Sequence, residues 1–355
     1  MARALALTAR GRDTATPNPS VGCVIVKGGR LIAEGWHEKA GGAHAEARAL
    51  AACTESPEGA TVYVSLEPCS HQGRTPPCTD ALARARVARV VAALEDPNPL
   101  VHGQGAAKLR EAGIRVELGL MENEAREAHL GFVTRMTKGR PWMRIKAAAT
   151  LDGRTALANG ESRWITGAAA RRDVHALRAR SCAMLTGIGT VLRDDPELTV
   201  RDVPALRQPR RVVIDSRLDL DPAARILRGE PILVFTVSQD AERRRLLESL
   251  GAEVLAAPLD PDKPGKTDLA AIARMLGERG FNEVTVETGA KLNGSLLAAG
   301  VIDEIVLYIA PKIFGDAGLG LFAMPELTRL DQALRPRIVD VRSVGEDLRI
   351  TARLD

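Results

Sequence analysis

Aromatic residues make up 3% of the 355 positions, and there is no dense basic run: 49 Lys and Arg against 45 Asp and Glu leave a net charge of +4. A nucleic-acid backbone is therefore a weak candidate partner, and the small positive excess suits phosphate-bearing small molecules better. Long apolar stretches are also missing, so nothing in the sequence is expected to span a bilayer. Residues 1–11 lack the apolar core and cleavage site of a secretory signal. Cysteines number five, an odd count that argues against a disulfide framework and predicts a reducing, cytoplasmic setting. No G-x-G-x-x-G string follows a predicted strand, so any nucleotide must be bound without the Rossmann fingerprint. What the chain does have, at 45% hydrophobic residues, is enough material for two packed domains of ordinary size. Whether copies associate into a homo-oligomer is left open by these features.

Four residues carry recognisable chemistry: His44, Glu46, Cys69 and Cys78, set in H-A-E and in P-C-S-H-Q-G-R-T-P-P-C. One imidazole and two thiolates can hold Zn2+ tetrahedrally and leave the fourth position to a water, which separates a catalytic site from a closed structural one. Glu46, two residues from the His ligand, can then take a proton from that water and return it to a leaving amine. The combination predicts hydrolytic deamination. The general pattern of zinc deaminases, H-x-E followed by P-C-x-x-C, is broken in its second half, because eight residues separate Cys69 from Cys78. The insertion must form a loop that returns the second thiolate to the metal, and Gly73, Pro76 and Pro77 suit one. His71, inside that loop, is expected to contact substrate or brace the loop rather than to ligate. A purely structural zinc site is the competing reading, and the carboxylate beside the ligands argues against it. Cys23, Cys53 and Cys182 read as buried, inert thiols.

Apolar runs of strand length alternate with helix-length segments, which predicts an α/β fold. Strands are expected at 21–26, 61–65 and 89–94. An Ala-rich helix over 44–53 would place His44 and Glu46 in its first turn, where the helix dipole helps to keep a carboxylate charged. Helical text over 122–137 runs into Lys138-Gly139-Arg140-Pro141, a stop that predicts domains at 1–140 and 141–355. An apolar strand then starts at Trp142 and ends in an L-D-G turn. Two small-residue turns, T-G-I-G-T at 186–190 and E-T-G-A-K-L-N-G-S at 287–295, offer a substitute for the missing fingerprint. The second follows a strand expected at 284–286 and opens a helix, so its backbone N–H groups could receive a pyrophosphate. A plain strand-to-helix connection is the alternative.

Longer strings narrow the reading: T-P-N-P-S-V-G (16–22), G-x-H-A-E (42–46), E-P-C-S-H-Q-G-R-T-P-P-C (67–78) and D-P-N-P (96–99). They resemble the deaminase half of the bifunctional riboflavin-biosynthesis deaminase/reductase family. W-M-R-I-K-A-A-A-T-L-D-G-R-T-A (142–156) and G-E-S-R-W-I-T-G (160–167) resemble its reductase half. The resemblance implies a cytidine-deaminase-like three-layer domain followed by a dihydrofolate-reductase-like domain. It implies Zn2+ on His44, Cys69 and Cys78, Glu46 as proton shuttle, and a phosphoribosylated diaminopyrimidinone that loses its 2-amino group near Asn18. It also implies NADPH as the reductant that converts the ribosyl chain to ribityl. Carried over residue by residue, NADPH contacts fall on Ala148, Trp164, Thr190, Asp194, Ser216, Gly289, Ala290, Lys291, Leu292, Asn293, Gly294 and Ser295. Substrate contacts fall on Ser162, Arg178, Leu198, Arg201 and Glu287. Arg178 and Arg201 are types that can grip a ribose phosphate through forked hydrogen bonds, and Trp164 offers a face to a flat ring. Salt-bridged arginines and a core tryptophan are the plain alternatives. The chain departs from the family at Thr288, where a second glycine is expected. Lys146 is the candidate proton donor for reduction, and Arg217 the candidate for holding a 2'-phosphate. A nucleoside or tRNA deaminase fused to an orphan nucleotide-binding domain is the runner-up, disfavoured by the cysteine loop and the missing basic surface.

Overall fold

A computed structural model describes residues 1–73, 75–99 and 101–354; Arg74 of the cysteine loop and Asp355 lie outside the described residues. The chain divides into two compact units, Met1–Gly139 and Arg140–Asp355.

In the first unit the strands Gly22–Lys27 (β1), Arg30–Trp36 (β2), Thr61–Val64 (β3), Arg89–Ala92 (β4) and Arg115–Leu118 (β5) form a sheet ordered β2-β1-β3-β4-β5. β1 is antiparallel to β2 and β3, and β3, β4 and β5 are parallel. The helices are Ala2–Gly11 (α1), Ala45–Ala51 (α2), Cys78–Arg84 (α3), Gln104–Glu111 (α4), Glu122–Ala128 (α5) and Leu130–Lys138 (α6). Strand alternation sends side chains to both faces. Cys23, Ile25, Val62 and Val90 pack under Ala45, Ala49, Leu82 and Leu109 of α2, α3 and α4. Val24 turns the other way, against Ala4 and Leu7 of α1, and Ala125 and Phe132 of α5 and α6 cover Leu66 and Leu94. The unit is thus three layers, helix on sheet on helix. The helix expected over 122–137 is broken at His129, which leaves the helical region at φ −114°. Its buried ring reaches across to Ser65, with Nε2 3.2 Å from Oγ. α6 then ends on Gly139 at φ +67°, a left-handed cap that glycine adopts without a steric penalty.

The second unit holds strands Trp142–Thr150 (β6), Arg154–Ala156 (β7), Ala183–Gly187 (β8), Arg210–Ile214 (β9), Ile232–Thr236 (β10), Ala252–Ala256 (β11), Glu283–Val286 (β12), Glu304–Ala310 (β13), Leu319–Gly320 (β14), Arg337–Val344 (β15) and Asp347–Arg353 (β16). Its helices are Ala168–Arg180 (α7), Ile188–Asp194 (α8), Ala241–Ser249 (α9), Leu269–Glu278 (α10) and Ala290–Ala298 (α11). Nine strands form one sheet, β11-β10-β9-β8-β12-β6-β13-β16-β15, parallel from β11 to β13 and closed by the antiparallel β15–β16 pair. The short β7 and β14 pair separately. Leu269, Ile272, Ala273 and Leu276 recur at helical spacing on α10 and pack with α11 against Met143, Ile145 and Ala147 of β6. α7 covers the opposite face through Ala170, Val174 and Leu177, on Val306 and Tyr308. Period-two alternation therefore turns Lys146 and Ala148 of β6 to the α7 side. Because the central strands are parallel, the carboxyl ends of β6, β8, β9 and β12 lie along one edge, where open α/β sheets place their ligands.

Candidate active sites

In the first unit His44, Cys69 and Cys78 each bring one ligand atom within 4.8 Å of the others. His44 is the N-cap of α2, and Cys78 opens α3, which packs beside it. The intervening loop returns Cys78 so closely that its backbone N–H donates to Cys69 Sγ at 3.4 Å. His44 Nδ1 lies 3.5 Å from Cys69 Sγ and 3.4 Å from Cys78 Sγ. A tetrahedral ion bonded at about 2.3 Å to sulfur and about 2.05 Å to nitrogen separates those atoms by about 3.5 Å, so the three residues fit zinc. His44 Nε2 faces the Thr75 hydroxyl at 3.3 Å, an outer contact that fixes the ring. Electrostatics agree with geometry. The Cys78 thiol and His44 hold Cys69 down to about 4, whereas the hydrogen bond to Cys69, burial and the nearby Glu46 charge push Cys78 up. One thiolate forms readily; a second beside it calls for a cation.

Glu46 lies in the first turn of α2 and is only 3% exposed. Burial pushes its carboxyl up to about 7, the Cys69 charge adds to this, and His44 opposes it. The helix dipole was expected to keep this group charged, and burial outweighs it. Asn18 stands at the same site through a residue the sequence did not single out. His37 Nδ1 is 3.1 Å from the Ala43 carbonyl, so that nitrogen carries the proton and Nε2 accepts from Asn18 Nδ2 at 3.1 Å. The His37 and His44 rings meet edge to face at 5.3 Å. Glu67, in the E-P-C string, is a brace: its carboxylate accepts from the backbone N–H of Asp96, Gly103 and Ala106 at 3.1, 3.0 and 2.9 Å. A Cβ on Gly105 would fall 2.0 Å from the Pro68 carbonyl, so only glycine lets α4 approach the ligand loop. His71 is exposed and stands outside the ligand cluster. Cys23 and Cys182 are buried as expected, but Cys53 is only half-buried.

In the second unit Lys146, Arg178 and Glu287 converge. Arg178, on α7, donates from Nε and Nη2 to the two Glu287 oxygens at 2.7 and 2.8 Å and from Nη1 to the Thr199 carbonyl at 3.1 Å. The fork expected to grip a phosphate is thus taken up by Glu287, and Arg178 orders that carboxylate instead. Lys146 Nζ is 4.0 Å from Glu287 and 5.9 Å from the centre of the Tyr308 ring. Burial pulls the Lys146 ammonium down against the Glu287 charge; despite its own burial, Glu287 is held down to about 2 by Arg178 and Lys146. Arg201 is 51% exposed and bonds Glu197 at 2.7 Å and the Thr199 hydroxyl at 3.0 Å. Leu198 is buried at φ +52°, and Ser162 is half-buried.

The two small-residue turns stand side by side because β8 and β12 are neighbours, and the Thr190 and Thr288 hydroxyls meet at 3.2 Å. The space a Cβ would take is open at both Gly189 and Gly289, so the turns present an uncluttered edge at the start of α11, which fits a pyrophosphate. Lys291 is exposed beside them, and Ala290, Leu292 and Ser295 are half-buried. Asn293 and Gly294 face the protein rather than this edge. The buried Asn293 amide donates to the Thr288 and Leu321 carbonyls at 3.4 Å, and a Cβ on Gly294 would fall 2.1 Å from the Ala323 carbonyl. Residues 321–323 thereby brace α11. Trp164 is 65% exposed with the Arg171 guanidinium 4.7 Å over its ring, so it is no core residue. Asp194 accepts from Arg163 through its carbonyl at 2.6 Å, while the Asp195 carboxylate receives the Arg225 backbone N–H at 2.7 Å. Ser216 Oγ accepts from Thr267 N at 3.3 Å. Ala148 packs beside the α7 cluster. Arg217 is exposed and paired with Asp219 at 3.0 Å.

Known proteins resemble the chain over nearly all of its length. The family described as the RibD C-terminal domain matches residues 141–350, and the cytidine and deoxycytidylate deaminase zinc-binding region matches residues 1–94. Riboflavin biosynthesis protein RibD of Escherichia coli K12 is 47% identical over 360 residues, 98% of this chain and 96% of that protein. Its Aquifex aeolicus counterpart is 42% identical over 98% of this chain and 96% of that protein. Among solved structures, Acinetobacter baumannii RibD, form 1, superposes with a TM-score of 0.91 at 41% identity, over 100% of this chain and 97% of that one. The Thermotoga maritima diaminohydroxyphosphoribosylaminopyrimidine deaminase/5-amino-6-(5-phosphoribosylamino)uracil reductase gives 0.88 at 37% identity over the same shares.

Proposed function

The chain belongs to the RibD family of riboflavin-biosynthesis enzymes, bifunctional deaminases and reductases, and on that footing we propose how its residues share the two reactions. The first unit hydrolyses 2,5-diamino-6-(5-phosphoribosylamino)pyrimidin-4-one: water adds its oxygen at the carbon bearing the 2-amino group, and ammonia leaves. Zn2+ held by His44, Cys69 and Cys78 would make water acidic enough to react near neutral pH. Glu46 accepts the proton that water gives up and delivers it to the departing amine. A carboxyl near 7 can do both at neutral pH. Asn18, held at this site by His37, contacts the pyrimidine. We assign His71, exposed on the ligand loop, to contact with that substrate.

The second unit takes the deaminated product with its sugar opened to a Schiff base. NADPH, when bound, would supply the hydride that reduces C1; Thr190, Gly289 to Leu292 and Ser295, with Ala148, Trp164, Asp194 and Ser216, would hold the dinucleotide, while Asn293 and Gly294 seat α11 behind them. Lys146 delivers the proton to the nitrogen, so that hydrogen adds across the C=N bond and the ribosyl chain becomes ribityl. Glu287, locked by Arg178, opposes the loss of the Lys146 proton that burial favours. Arg201, with Ser162 and Leu198 beside the sugar, takes the phosphate. We assign the 2'-phosphate of NADPH to Arg217, exposed after β9 beside Asp219. A cytoplasmic setting is supported by five free cysteines; among the described residues no helix is long and apolar enough to cross a membrane. Identity over the full length to two-reaction relatives sets aside a nucleoside or tRNA deaminase with an orphan partner domain.

The deaminase assignment is carried by one observation, a buried carboxylate two residues from a histidine whose Nδ1 meets two cysteine sulfurs at tetrahedral spacing. Glu46→Gln is expected to retain zinc, measured by metal analysis, while ammonia release falls by about 10²–10⁴-fold. Unaltered turnover in that variant would remove Glu46 from proton transfer.

A further inference from the structure

Between α8 and β9 the chain runs without regular structure, yet three consecutive residues there are gripped at the backbone by side chains of α7 and by Gln208, later in the same stretch. Arg178 Nη1 donates to the Thr199 carbonyl at 3.1 Å. Gln208 holds both sides of Val200, accepting from its N–H at 2.7 Å and donating to its carbonyl at 3.1 Å. His175 Nδ1 accepts the Arg201 N–H at 3.1 Å, while its Nε2 lies 3.3 Å from the Asp202 carboxylate. An imidazole nitrogen that accepts from an amide is unprotonated, so the proton sits on Nε2 and is given to Asp202. His175 is buried on α7, one turn before Arg178. The preceding residue, Leu198, is held at φ +52°, in the left-handed region that a branched, bulky side chain avoids. Such a conformation persists where its surroundings over-determine it, and it clusters at ligand sites. The clamp ends at Arg201, whose guanidinium is aimed by Glu197 and the Thr199 hydroxyl.

We infer that His175 is a positioning residue for the reductase: by holding the Arg201 backbone N–H it presents the Arg201 guanidinium to the phosphate of the ribosyl substrate. The inference rests on the assignment of Arg201 to that phosphate. A long cationic side chain on a free loop loses rotational and backbone freedom on gripping an anion, and a clamp fixed beforehand removes that loss. His175 touches neither sugar nor nicotinamide; its effect falls on discrimination for the phosphate and not on the hydride step.

The test compares reductase kcat/KM for the phosphorylated aminouracil riboside and for the same compound without its phosphate. His175→Leu removes the acceptor. It is expected to raise KM for the phosphorylated substrate about tenfold, shrink the preference for phosphate by the same factor, and leave the KM for NADPH in place. His175→Asn, whose Oδ1 falls where Nδ1 was, restores the preference; His175→Gln, with its amide near the Nε2 position, does not. Should the leucine variant fail to fold, the contrast between Asn and Gln decides alone. A preference for phosphate that survives in Leu and Gln alike overturns the proposal, as does a uniform loss against both substrates that Asn does not repair. Arg201→Ala separates the premises. If it abolishes the preference while the His175 variants keep it, the clamp is wrong; if it too keeps the preference, the assignment of Arg201 has failed first.

Discussion

Lys146 sits where burial and a carboxylate pull in opposite directions, 4.0 Å from Glu287 and half-buried beside the Tyr308 ring. A lysine in that balance can hold a proton and part with it, as a donor to a developing amine must. Lys146→Met is expected to spare ammonia release and to lower reductase kcat about 10²-fold or more in single-turnover assays, the span of general acid catalysis. Full reductase turnover in that variant would take Lys146 out of the mechanism. At this scale the zinc ligands were legible because ligand chemistry dictates residue type and order, and the inserted loop altered only the spacing. Thr75, His37 and Glu67 were not, since each acts through hydrogen bonds that exist only once distant segments meet. Arg178 was read for its charge; no sequence pattern told that the Glu287 carboxylate would occupy its fork.

The break between α5 and α6 shows the same limit for elements. Residues 122–137 read as one helix because propensity is continuous across them, and tertiary demand overrides it at His129, whose ring inserts toward Ser65 while Ser65 Oγ also takes the Gly22 N–H at 3.1 Å. Burial, helped by the Arg12 charge and opposed by Ser65, lowers His129 to about 4 from the 6.5 of a free imidazole. The folded state therefore binds fewer protons than the unfolded state between those values. This contribution is fully present above pH 6.5 and is lost as pH falls toward 4. The loss amounts to about 2 kcal/mol between pH 8 and pH 5. Hydrogen exchange at the core amides of β1 and β3 should report it, and His129→Gln, which cannot be protonated, should flatten the difference. An equal pH dependence in both proteins would contradict the role given to His129. The strands expected at 61–65, 89–94 and 284–286, by contrast, match β3, β4 and β12 to within a residue or two, because strands covered on both faces leave unbroken apolar text. α1, β5 and the β15–β16 hairpin carry no comparable signal; β15 is exposed along nearly its whole length.

Across the whole molecule, two units with separate cores carry two unlike chemistries, a thiolate and imidazole cluster in one and a paired-turn edge beside a lysine in the other. Long family strings, rather than composition, made that pairing legible from sequence; composition alone went no further than two α/β domains for phosphate-bearing ligands. One polypeptide runs the two reactions in order, hydrolysis before reduction. Purified zinc-replete protein given freshly generated diaminopyrimidinone ribosyl phosphate and NADPH, with ammonia and nicotinamide absorbance followed separately, tests this most directly. Ammonia is expected first, then NADPH oxidation in an amount that does not exceed it. Oxidation that runs ahead of ammonia, or ammonia with no oxidation after it, would contradict the account.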